Sequence, residues 1–112
     1  MTDQTIAFDE LMLGFGQQLM LHPNPADKTM VFGCMLAGCL PSESLMVTVE
    51  PNGVFPRLEE GQRVAVRIFL DSGVALFMTT VLFISEVPTL IVYLDFPSQV
   101  KFKRLRAAKR VV

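Results

Sequence analysis

The chain has 112 residues, enough for one domain with a real core and too few for two. Hydrophobic residues make up 51 % and the mean hydropathy is +0.44, yet no apolar run approaches the ~20 residues that span a bilayer: Val87 to Phe96 is broken by Pro88, Thr89 and Asp95. The formal net charge of −1 hides a split, because Lys101 to Val112 holds six of the ten Lys and Arg and none of the eleven Asp and Glu. Residues 1 to 100 therefore carry four basic and eleven acidic side chains, a formal −7, against +6 in the last twelve. Such asymmetry marks a folded body joined to an anion-seeking segment. The acidic start MTDQTIAFDE has no basic stretch leading into an apolar one, so no secretory leader is visible and the cytoplasm is the expected location.

Taken in order, Ile6 to Met12 suits a single helical turn with Asp9 and Glu10 near its start, ended by Gly14 and Gly16. Gln17 to Leu21 alternates as a first strand, and His22-Pro23-Asn24-Pro25-Ala26-Asp27 has turn composition. Thr29 to Leu40 is a long apolar stretch whose Gly33 and Gly38 predict a strand that bends or bulges at a barrel corner. After Pro41-Ser42-Glu43, Ser44 to Val49 reads as a clean strand, and Pro51-Asn52-Gly53 as a turn.

Alternation is clearest from Arg63 to Leu70, with Val64, Val66, Ile68 and Leu70 on one face and Arg63, Arg67 and Phe69 on the other. Asp71-Ser72-Gly73 signals a hairpin into Val74 to Ile84, Glu86-Val87-Pro88 turns the chain into Leu90 to Asp95, and Pro97 ends the sheet. The pattern predicts an all-β fold without internal repeat: a small antiparallel β-barrel of six to seven strands, with a short N-terminal helical turn and a basic C-terminal tail. The barrel is expected over residues 1–98 and a basic linker over 99–112.

Little supports catalysis. His22 is the lone imidazole, the acid pairs Asp9-Glu10 and Glu59-Glu60 read as solvated charge, and Gly14-Phe15-Gly16 lacks the third glycine and the preceding strand of a phosphate loop. No spacing suits a metal, so neither an enzyme nor a resident cofactor is expected. Cys34 and Cys39 lie an odd number of positions apart, which in an extended strand puts them on opposite faces as buried, unpaired thiols. Methionines such as Met35, Met46 and Met78 read as core filling. In the tail, Arg106 and Arg110 stand four apart with Arg104 and Lys109 beside them, and guanidinium forks grip phosphate or the O6/N7 edge of guanine.

In order, the chain shows L-x-x-G-x-x-L-x-L within Leu11 to Leu21, F-G-C-M-L-A-G from Phe32 to Gly38 and V-T-V-E-P from Val47 to Pro51. L-x-x-G-Q-x-V-x-V-R-I-F follows from Leu58 to Phe69, S-G-V-A-L-F-x-T-x-V from Ser72 to Val81, L-x-V-Y-L-D-F-P from Leu90 to Pro97 and R-x-x-x-R-V from Arg106 to Val111. This succession resembles the N-terminal domain of YcgR-type flagellar brake proteins. The resemblance implies a regulatory β-barrel that precedes a PilZ domain, with Arg106 and Arg110 as the Arg-x-x-x-Arg pair that holds cyclic di-GMP and Arg104 and Lys109 as added cations. Family members carry a second arginine directly before the first motif arginine; here Leu105 stands there, with Arg104 one step earlier. The family's Asp/Asn-x-Ser-x-x-Gly element, which belongs to the PilZ domain, does not occur within residues 1–112, which predicts weak, salt-sensitive nucleotide binding by these residues alone.

The partners implied are cyclic di-GMP, a PilZ domain in cis and a flagellar motor component at the basal body. Pairing of the barrel with itself through a strand edge is compatible with the sequence. Rival readings are a nucleic-acid-binding barrel, disfavoured because only Phe102 lies among the tail cations, a flavin-binding split barrel, and a membrane anchor, for which the tail lacks an apolar helical face.

Overall fold

Period-two alternation of apolar side chains extends well beyond the Arg63–Leu70 stretch and yields eight strands in the computed structural model, which describes residues 3–27, 29–49 and 55–104. In chain order these are β1 (Asp3–Ile6), β2 (Gln18–His22), β3 (Phe32–Leu40), β4 (Ser44–Val49), β5 (Arg63–Leu70), β6 (Gly73–Ser85), β7 (Ile91–Asp95) and β8 (Val100–Arg104). A single 3-10 turn, Phe8–Leu11, follows β1, where the expected helical turn falls. The expected turn at 51–53 lies outside the described residues.

Six strands close on themselves. β2 pairs with β3, β3 with β4, β4 with β7, β7 with β6, β6 with β5 and β5 with β2, every pairing antiparallel. Closure removes the open edges that an unrolled sheet would leave. The inward positions Leu19, Leu21, Leu36, Leu45, Val47, Val64, Val66, Ile68, Val81, Val92 and Leu94 are nearly or fully solvent-inaccessible and fill the interior. Thr79 is the polar exception on an inward position; its hydroxyl donates to the Asp95 carbonyl at 2.6 Å, which removes the penalty of an unsatisfied buried group.

β1 and β8 lie outside the closed barrel: β8 pairs with Gly73–Leu76 of β6, and β1 pairs with β8. The sheet therefore does not stop at Pro97. Val100-Lys101-Phe102-Lys103-Arg104 is itself an alternating strand, with Val100 and Phe102 buried and Lys101 and Lys103 exposed. Its cationic half concealed the apolar half, so the start of the basic segment belongs to the sheet. β8 can approach β6 closely because Gly73 has no side chain. A Cβ there would collide with the Lys103 carbonyl oxygen and come within 2.7 Å of the Phe102 ring and 3.0 Å of the Arg104 Cα.

Two bulges bend the long strands, between Leu36 and Gly38 in β3 and between Val81 and Phe83 in β6. The first corrects the expectation for the cysteines. The extra residue shifts parity, so Cys39 stands opposite buried Leu45 and packs toward the core, as Cys34 does. Five residues of strand still hold the two about 16 Å apart, and neither is in a disulfide. Met78 is also corrected: it is 43 % exposed, on the outer face of β6.

The register also reveals a duplication, contrary to the expectation of no repeat. Gly16 and Gly61, at φ +86 and +89, each follow a Leu-x-x sequence and precede Gln. Their N–H groups donate to Leu36 O and Val81 O, each at 2.7 Å, while Leu36 N and Val81 N donate to Gln17 O and Gln62 O, each at 2.9 Å. Both accepting strands bulge immediately afterwards. The β2–β3 pairs Gln18↔Met35 and Leu21↔Phe32 recur in β5–β6 as Arg63↔Thr80 and Val66↔Phe77. Between the halves, Met20↔Arg67 mirrors His22↔Ala65 about a central Leu21↔Val66 pair. That is the self-complementary pattern of a two-fold interface, written within one chain.

Candidate functional site

β8 holds the start of the basic segment, Lys101 to Arg104, in a defined place. Arg104 shares its strand face with Val100 and Phe102, but beyond the packed interior, so it borders a cleft of about 230 Å³ instead of the core. Gln4 and Ile6 of β1, Glu10 and Leu11 of the 3-10 turn, and Leu70 and Ser72 of the β5–β6 hairpin line the same cleft. The Glu10 carboxylate is tied back to its own turn, accepting a hydrogen bond from the Ala7 N–H at 3.3 Å. The exposed Arg104 guanidinium is thus the cation of this cleft, with Gln4 and Ser72 as neutral polar neighbours. Phe8 anchors the turn from beneath by edge-on contacts with Phe77 and Phe96, at centroid distances of 6.0 and 5.4 Å.

Of the four candidate residues, Arg104 alone is described; Arg106, Lys109 and Arg110 lie outside the described residues. Strand periodicity separates what the sequence presented as one run. Lys101 and Lys103 point to the opposite face from Arg104, where they stand in register with Leu76 and Val74 of β6.

A larger cleft, about 570 Å³, lies between the segment preceding β5 and the β6–β7 hairpin. Its walls are Phe55, Leu58, Ile84, Leu90 and Val92, with Arg57 and Glu86 as opposite charges. Sequence reasoning had assigned nothing there, because the walls come from two distant stretches. His22 ends β2 in a buried position. Among the described residues no three His, Cys, Asp or Glu side chains gather in a way that could hold a metal ion, and no helix is long and apolar enough to cross a membrane.

The profile of the family described as flagellar protein YcgR, PilZNR, matches residues 14–97. That span opens at the first Gly-bearing turn and closes just after β7, so it coincides with the six-stranded barrel and leaves out β1, the 3-10 turn and β8. A search of curated proteins finds no match.

Proposed function

The chain belongs to the YcgR flagellar protein family through its N-terminal barrel, and from that membership we propose that it is a non-catalytic regulatory domain of a cyclic di-GMP effector acting on flagellar motility. The observation that carries this reading is the match over the complete barrel. The charge pattern supports it, since Arg106 and Arg110 follow β8 directly and carry the pairing of cations that a dinucleotide's phosphates and guanine edges require. Arg104 and Lys109 are the flanking cations.

In this reading the nucleotide sits where the barrel gives way to a PilZ domain in cis. Contacts from both sides favour one arrangement of the two, which is the differential affinity that a population shift needs. The reoriented barrel then presents a surface to a motor component at the basal body. In this reading the PilZ domain supplies the opposing wall, so residues 1–112 tested by themselves should bind weakly.

Calorimetry and small-angle scattering test this together. A form continued through a PilZ domain should bind cyclic di-GMP and change shape, and Arg106→Ala with Arg110→Ala should abolish both responses. An unchanged scattering response in the double variant would overturn the mechanism.

A further inference from the structure

The outer face of β5, β6 and β8 carries a feature that the nucleotide reading does not use. In successive rows across these strands stand Phe69, Val74 and Lys103, then Arg67, Leu76 and Lys101, with Met78 beyond. Phe69 is 57 % exposed and Met78 43 %. Arg67, Phe69, Val74, Leu76, Lys101 and Lys103 line a groove of about 340 Å³. The outward positions of β5, β6 and β8 supply four cations, with Arg63 completing the set, and no carboxylate; Asp3 of β1 is the cross-strand partner of Lys103 at the rim. Among the described side chains no ion pair engages Arg67 or Lys101.

The duplication provides an internal control on whether the fold demands these side chains. At the positions equivalent to Arg63, Arg67 and Met78, the first half of the barrel has Gln18, His22 and Gly33 and folds with the same register. Cations and exposed Met are therefore additions to the second half and are not needed to make the strands.

We propose that this groove docks an acidic, amphipathic segment of a partner protein, seating an apolar side chain between Phe69 and Leu76 while carboxylates meet Arg67, Lys101 and Lys103. Phe, Met and Arg are the residue types enriched at protein interfaces, and the exposed lysines lie where such interfaces have a polar rim. Charge complementarity assigns the partner's sign. The cations span about 13 Å along β5 and about 10 Å across to β8, a separation that suits a peptide segment better than one small anion. A concave floor receives a protruding side chain, whereas a flat bilayer would not reach it. Phe69 is the lone aromatic exposed on these rows, too few for a stacking platform of the kind single-stranded nucleic acids use. The proposal stands independently of nucleotide binding by the tail.

An amide NMR titration of the 112-residue chain tests it. The probes are a synthetic amphipathic helix of Leu and Glu, its twin with Lys at every Glu, vesicles of phosphatidylcholine with phosphatidylglycerol, and an oligo-dT strand. The Leu/Glu peptide should shift resonances of Arg67, Phe69, Leu76 and Lys101, and added salt should weaken it. Lys101→Glu with Lys103→Glu should lower its affinity by roughly tenfold or more, and Phe69→Ser should lower it with the charges intact. All three positions are exposed, and a retained dispersed spectrum checks the fold. The proposal is overturned if both peptides act equally, if shifts map elsewhere, or if neither peptide acts at about 1 mM. It is equally overturned if vesicles or oligo-dT move these resonances while the acidic peptide does not.

Discussion

Single atoms govern how β8 is held against β6. Gly73 is required because the Lys103 carbonyl, the Phe102 ring and the Arg104 backbone crowd the space a Cβ would take. Gly73→Ala should cost roughly 1–3 kcal/mol through overpacking, measured as a lower urea midpoint, and should detach the end of β8. At the first turn, the Thr29 hydroxyl and then its backbone N–H donate to Asp27 Oδ1, at 2.5 and 3.0 Å, and hold that carboxyl below its ordinary 3.8. A depressed value in the folded state means the contribution is present above pH about 3.8 and is lost as pH falls through the lower folded value. Carboxyl-detected NMR should show Asp27 titrating below 3.8 and rising toward it in Thr29→Ala. Burial, and secondarily the charge of Asp9, push the Cys39 thiol above its ordinary 9.0. Alkylation at pH 8 should accordingly be slower at Cys39 than in a free peptide, and Cys34, with no exposed surface, should react only on unfolding.

At the scale of elements, what could be foreseen depended on how local the cause was. The bounds expected for β4 and β5 match because each is set by its own alternation and by flanking turn residues. A bend in β3 near Gly38 was legible from glycine, yet which position would be inserted was not, and so the facing of Cys39 was misjudged. β8 was missed because its lysines occupy one face of a strand whose other face is buried by pairing with a segment about 27 residues away. Arg63 and Arg67 were read as sharing a face, and they do; that Lys101 and Lys103 join them follows only from the β6–β8 register. The paired glycine turns offer a test of the duplication. Neither Gly16 nor Gly61 has a neighbour within 4 Å of a would-be Cβ, so the cost of alanine is the positive φ alone. Gly16→Ala and Gly61→Ala should each destabilise by about 1–2 kcal/mol, by nearly equal amounts in thermal melts.

For the molecule as a whole, the split between an acidic body and a basic end resolves into two surfaces, one at the Arg104 cleft and one across β5, β6 and β8. The chain thereby separates a proposed nucleotide contact from a proposed protein contact on opposite faces of one strand. The two halves of the barrel meet along β2–β5 and β4–β7, and β1 and Phe8, from the first half of the chain, reach over to β8, Phe77 and Phe96. Scission of the chain between Val49 and Phe55 would leave every one of these contacts intact. Two co-expressed fragments should then recombine into a stoichiometric complex with the parent's elution volume and spectrum, which makes this barrel a natural substrate for split-protein reporters.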